Sequence, residues 1–229
     1  MGLSHSPQIV TDGLVLHLDA GNRRSYPGTG TTWTDLSNLN NNASISGDPV
    51  FNTSSLGFFS LTSDFFNCSH NSSLNFTNNL TVGIICSADS VVDYASPFSK
   101  TSTWLWNDGF GIYQFTDNKI YFWINTWNAA HRVSIPKSTF NLTYLVCTYD
   151  GNNLKFYENG NLISVGSSYS LNINNSAESL YIGKGQDIGT TLNSYTWPGK
   201  IALTSIYNRA LTENEVKQNF NALRGRYGI

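Results

Sequence analysis

The chain has 229 residues and a formal charge of −2, so it exerts no long-range pull on nucleic acid or an anionic membrane. Aromatic residues make up 14% of it, which supports a sizeable buried core and excludes a disordered chain. Charged residues are only 12%, and the polarity comes instead from Asn, Ser and Thr, the residues of turns and strand surfaces.

Residues 1–12 read as a polar lead. Their start, MGLSHSPQIV, lacks the basic and apolar regions of a signal peptide, and no stretch is apolar enough to insert in a membrane. It does fit the loose myristoylation pattern M-G-x-x-x-[ST]. Ile9 and Val10 are the apolar residues of this lead and a candidate attachment strand. The sequons at Asn42, Asn71 and Asn141 reflect an Asn- and Ser-rich composition.

From residue 13 to the end, a single all-β domain is expected. GLVLHLDA (13–20) alternates apolar and polar positions and reads as the first strand. GNRRSYPGTGTT is a Gly- and Pro-bearing loop. Further strands are expected at GFFSLT, NLTVGIICSA, FGIYQF, KIYFWIN, HRVSIP, TYLVCTYD, NLKFYEN, NLISVGS, SLYIGKG and KIALTSIY. Turn chemistry separates them at TDNK, YDGNN and YENGN, and Asn159-Gly160 is a strong hairpin signal. Many short strands with no long helix before residue 212 mean a sandwich or jelly roll.

The chain then changes period. Thr212 and Glu215 form a capping box, and Val216, Phe220 and Leu223 make one apolar stripe, so a short helix is expected at about 212–223. It should cover an edge or open end of the core.

Cys68, Cys86 and Cys147 are odd in number and lack metal-site spacing, so buried thiols are expected. A Cys86–Cys147 disulfide requires their two strands to lie side by side.

These segments together carry a resemblance. PGKIALTSIYNRALTENEV resembles the closing motif of laminin-G-like domains of the concanavalin A-like lectin/glucanase superfamily. TYDGNNLKFYENGNLI (148–163) resembles the central hairpin of that group, SLYIGKG its next strand, and GLVLHLDAGN with WTDLS its opening. The resemblance implies a jelly-roll sandwich of two antiparallel sheets, with glycans bound on a concave face or rim loops in relatives, sometimes with calcium.

A narrower resemblance links the opening GLVLHLDAGNRRSYPGTGTTWTDLS and the ending QNFNALRGRYGI to such domains in structural proteins of tailed phages, notably marine and cyanobacterial ones. It implies a non-catalytic virion protein: a capsid decoration, knob or fibre-associated domain located in the virion and assembled in the host cytoplasm. Its partners would be capsid or tail proteins and host-surface glycans, and a homo-oligomer is compatible with that role. The alternatives are a lectin or carbohydrate-binding module outside a virion and, less favoured, a polysaccharide-degrading enzyme. Two positions depart from the family pattern: Ile85 or Cys86 replaces a Trp, and Ala202 replaces an acidic residue.

The chemistry is sparse. Glycosidases of this kind need two carboxylates on one strand roughly 5 Å apart, and the four Glu, at 158, 178, 213 and 215, make no such pair. No G-x-S-x-G motif is present, and the four His, at 5, 17, 70 and 131, lack metal spacing. The chain therefore reads as not an enzyme, with no cofactor and His17 structural. Calcium stays open with no site assigned, because Asp35, Asp64, Asp93, Asp108 and Asp187 all fall in turns.

The suggestive cluster is TWLWNDGFGIYQF with YFWINTWNAAHRV. Sugars pack their C–H faces on aromatic rings and pair their hydroxyls with Asn, Asp and Arg. The candidate glycan-binding residues are therefore Trp104, Trp106, Asp108, Trp127, Asn128, His131 and Arg132. Alternation puts Tyr121 and Trp123 on one strand face and Ile120, Phe122 and Ile124 on the other. Arg209 in YNRAL belongs to the closing hinge and is expected to be structural.

Overall fold

The computed structural model describes residues 7–53, 57–102, 107–126, 128–185 and 195–229. Its first strands are β1 (Leu14–Asp19), β2 (Thr32–Trp33), β3 (Ala43–Ser46), β4 (Val50–Asn52), β5 (Phe58–Ser60), β6 (Phe65–Cys68), β7 (Leu80–Ala88) and β8 (Phe98–Lys100). They continue with β9 (Phe110–Phe115), β10 (Lys119–Ile124), β11 (Arg132–Pro136), β12 (Phe140–Tyr149), β13 (Leu154–Glu158), β14 (Asn161–Val165), β15 (Leu180–Ile182) and β16 (Lys200–Tyr207). Helix α1 spans Glu213–Tyr227.

The strands form two antiparallel sheets. One runs β14-β13-β12-β7-β16-β5-β4, with β1 also paired to β16; the other runs β11-β10-β9-β8-β15-β6-β3-β2. This is the expected jelly-roll sandwich. The strands missed in the sequence, β2, β3, β4, β6 and β8, are two to four residues long. Runs that short show no period of their own, so only pairing with neighbours defines them.

The main core lies between the sheets. It includes Val82, Ile84 and Cys86 from β7, Ile120, Phe122 and Ile124 from β10, and the large rings of Trp33, Phe59, Phe66 and Trp197. A second core lies on the outer face of the first sheet, where Ile85, Tyr144, Leu203 and Tyr207 meet Val216, Leu223 and Tyr227 of α1. Strand β7 is thus covered on both faces and buried at all nine positions, which explains why LTVGIICSA does not alternate. Gly83 allows the fit, since a Cβ there would lie 2.9 Å from the Tyr144 hydroxyl oxygen. Of the positions that depart from the family pattern, Ile85 and Ala202 belong to this second core and Cys86 to the main one.

Strands β7 and β12 do run side by side, yet Cys86 faces Thr143 and Cys147 faces Val82. That offset of four residues along the ladder keeps the thiols apart, and all three cysteines are free and buried. Burial pushes each thiol well above its ordinary range.

Helix α1 begins as expected: Thr212 and Glu215 complete the capping box. It ends later than expected, at Tyr227, before Gly228 at φ 67°. The reason is that Tyr227 extends the stripe one further turn, four residues after Leu223, and docks on the sheet.

The lead is also pinned to this helix. The Val10 N–H donates to Asn219 Oδ1 at 2.7 Å, and the Tyr207 hydroxyl donates to the Val10 carbonyl at 3.0 Å. Val10 is buried and Ile9 packs on the same cluster. These residues are therefore part of this domain's own second core, which corrects the expectation of a free attachment strand.

The hinge is held by Arg209, as expected for a structural residue. Its guanidinium bonds both Glu215 carboxylate oxygens at 3.0 and 2.6 Å and pairs with Asp12 at 2.8 Å. The Arg209 hydrogen bonds hold the Glu215 carboxyl down at about 2, against an ordinary 4.5. Because the folded-state value is depressed, the stabilisation is complete above about pH 4.5 and is lost as pH falls towards 2. A Glu215→Gln variant is expected to be less stable at pH 7 by roughly 1 kcal/mol, given the partial exposure of the pair, with a flatter acid limb in urea denaturation. Equal acid limbs in the two proteins would contradict this.

Candidate functional site

The candidate residues lie on loops beside β9, β10 and β11. The loop before β9 carries Asp108, the β10–β11 loop carries Asn128 and His131, and Arg132 opens β11. A third segment, residues 166–176, follows β14. Asn125, buried and at φ 60°, ties them together. Its N–H donates to the Gly109 carbonyl at 2.8 Å, its side-chain amide donates to the Asn172 carbonyl at 2.8 Å, and its side-chain oxygen accepts from the Asn174 N–H at 2.7 Å. The Gly109 N–H closes the circuit onto the Asn174 carbonyl at 2.6 Å.

On this frame the named side chains have distinct fates. Asp108 is spent on its own loop, accepting from Thr101 Oγ1 at 2.9 Å, the Ser102 N–H at 2.8 Å and the Ser102 hydroxyl. Asn128 caps a 3-10 turn, its side-chain oxygen accepting from the Ala130 N–H. The His131 ring sits 4.2 Å from the ring of Tyr169, which is 45% exposed. Partial burial lowers the His131 pKa and favours the neutral ring. The Arg132 guanidinium lies 4.9 Å over the Tyr121 ring. Trp104, Trp106 and Trp127 lie outside the described residues.

The structure thus places Asn128 and His131 on one loop, with Tyr169 against the His131 ring, while Arg132 opens the next strand with its guanidinium over Tyr121. Sequence reading did not find Tyr169 or Asn125, because Tyr169 meets His131 across 38 positions and Asn125 bonds Asn172 and Asn174 across 47 and 49. The Asn-rich run LNINN was the local signal that this segment makes side-chain to backbone bonds.

Tyr113 and Trp123 do not form an open stacking surface. Their rings lie 5.8 Å apart, both are buried, and Tyr94 packs against them as a small third core on the outer face of the second sheet. Ile120, Phe122 and Ile124 take the inner face, as alternation requires. Further along the outer face Tyr181 pairs with Ser99 and Asn67, and the Lys184 ammonium lies 4.7 Å over the Phe65 ring and 5.7 Å over the Tyr181 ring.

The carboxylates that the fold buries are structural. Asp19 holds Arg226 and Tyr227, Asp35 accepts from the His17 and Asn41 N–H groups, and Asp64 accepts from Asp48 and Thr62. Asp93 accepts from the Thr116 N–H, while Asp187 lies outside the described residues. Among the described residues no three His, Cys, Asp or Glu side chains gather as a metal site. His17 is buried, with Nδ1 2.8 Å from the Ser205 hydroxyl, in keeping with a structural role.

A laminin-G-like family model, described as the concanavalin A-like lectin/glucanases superfamily, matches residues 62–217, more than half of the chain. The chain belongs to this superfamily. No match was found among curated proteins.

Solved structures of the same shape include the binding domain of botulinum neurotoxin DC in complex with rat synaptotagmin II. That pair has a TM-score of 0.66 and 16% identity over 93% of this chain and 52% of the other. Domain 4 of AbnA, a GH43 extracellular arabinanase from Geobacillus stearothermophilus, in complex with arabinotriose, gives 0.68 and 16% over 90% of this chain and 97% of the other. A mutant of Trypanosoma rangeli sialidase displaying trans-sialidase activity gives 0.65 and 15% over 95% and 34%. The chain spans about half the length of the neurotoxin binding domains it matches. At these identities the likeness shows a shared fold.

Proposed function

We propose that the chain is a non-catalytic jelly roll that binds glycans through the rim of Asn128, His131, Arg132 and Tyr169 and is displayed on a virion. The observation that carries the glycan reading is this rim itself. The exposed Tyr169 ring stands beside the His131 imidazole on loops pinned by Asn125. Such a surface offers a ring face for sugar C–H groups and polar groups for hydroxyls, with little motion to freeze on binding. Domain 4 of AbnA, which matches along nearly its full length, is in complex with arabinotriose, so arabinan oligosaccharides are sensible first probes.

The virion reading is supported by the opening and ending segments that resemble phage structural proteins. These two segments form one unit in the fold, because Asp19 from the first holds Arg226 and Tyr227 from the last. Placement on a particle also fits a domain whose buried carboxylates serve structure.

Two measurements test the proposal. Binding to a glycan array is expected to fall about threefold to tenfold in Tyr169→Ala, the size of one aromatic contact. Unchanged binding would remove the rim from consideration. Mass spectrometry of purified particles is expected to find the protein, and its absence from mature virions would refute the display role.

A further inference from the structure

A separate concave surface lies at the opposite edge of the sandwich, near β4, whereas β14 bounds the edge beside the rim. It is a cavity of about 290 Å³ whose lining includes Gly21, Arg23, Tyr26, Phe51, Gly57 and Arg226. We propose that this cavity binds a carboxylated sugar, such as a uronic or sialic acid residue, as a second site distinct from the rim.

The pocket is built rigidly. The backbones of Gly21 and Gly57 are in contact, since a Cβ on Gly57 would lie 2.5 Å from the Gly21 Cα. The Tyr26 and Phe51 rings meet edge to face at 4.8 Å, and the Tyr26 hydroxyl donates to the Gly30 carbonyl at 3.1 Å. This fixes an aromatic wall.

The charge of the pocket selects the ligand. Among the described residues no carboxylate lines the cavity, although acidic residues outnumber basic ones in the chain. Arg23 is exposed and makes no ion pair with any described residue. Arg226 is oriented from behind: Asp19 holds one guanidinium nitrogen, and the plane lies 4.9 Å over the Tyr227 ring. Two guanidiniums therefore line a small cavity that also has an aromatic wall. Planar guanidiniums match a carboxylate in bidentate fashion. The aromatic wall suits the C–H face of a pyranose, a feature inorganic phosphate does not have. The volume suits one sugar ring rather than a chain.

The test is calorimetric titration of the full chain with sodium glucuronate and N-acetylneuraminate, against methyl glucoside and inorganic phosphate. At least one acidic sugar is expected to bind saturably and about tenfold more tightly than methyl glucoside or phosphate. Arg23→Gln should weaken that binding about tenfold, and so should Arg226→Lys, which keeps a cation for Asp19. Tyr169→Ala should leave it unchanged, so a failure here is distinguishable from failure of the rim. The proposal is overturned if neither acidic sugar binds saturably, if methyl glucoside or phosphate binds as tightly, or if Arg23→Gln has no effect.

Discussion

Trp197→Ala is expected to destabilise the domain by about 3–5 kcal/mol, measured by chemical denaturation. Trp197 is fully buried, and its position joins the two sheets. Its indole N–H donates to the Ser87 carbonyl at 2.7 Å, within β7 of one sheet. Its backbone N–H donates to the Gly183 carbonyl at 2.9 Å, just past β15 in the other. Truncation opens a cavity between the sheets and also strips Ser87 of a donor, so the cavity and polar costs add. Trp197→Phe keeps most of the volume and loses only the indole N–H, and should cost clearly less. Similar losses in the two variants would mean that the hydrogen bond, not the volume, dominates.

Asp19→Ala is expected to cost about 3 kcal/mol in the same assay. The Asp19 side chain is almost wholly buried. It accepts from the Gly21 N–H at 3.0 Å and the Tyr227 hydroxyl at 2.6 Å and pairs with Arg226. Removing it leaves buried donors without an acceptor and a guanidinium without its counter-charge. Arg226 is 38% exposed and can turn to water, which places the cost below that of breaking a fully buried pair. Asp19→Asn keeps an acceptor of the same shape and should retain about half of the lost stability. A cost under about 1 kcal/mol for Asp19→Ala would show that α1 docks by apolar contact alone.

The candidate site was legible in part. Asn128, His131 and Arg132 follow a strand in a stretch dense with aromatic residues, and local composition was enough to single them out. Asp108 was named on the same grounds, yet its carboxylate is consumed by Thr101 and Ser102. Sequence cannot distinguish a loop carboxylate that faces a ligand from one that closes its own turn, since both favour the same residue. Arg23 and Arg226 are 203 positions apart, and no spacing rule joins them.

The sequence by itself determined the fold class, the long strands, the Asn159-Gly160 hairpin and the capped helix. Each of these rests on interactions within a few residues: alternation, turn geometry and a box of Thr212 and Glu215. Only the tertiary structure decided what the helix covers, why β7 is buried on both faces, and that Ile9 and Val10 belong to the domain's own second core. It alone placed Cys86 and Cys147 in neighbouring strands but out of register. Those outcomes depend on contacts between segments up to some two hundred residues apart, such as Val10 with Asn219 and Asp19 with Tyr227. Local pattern records which residues need burial, and packing chooses their partners.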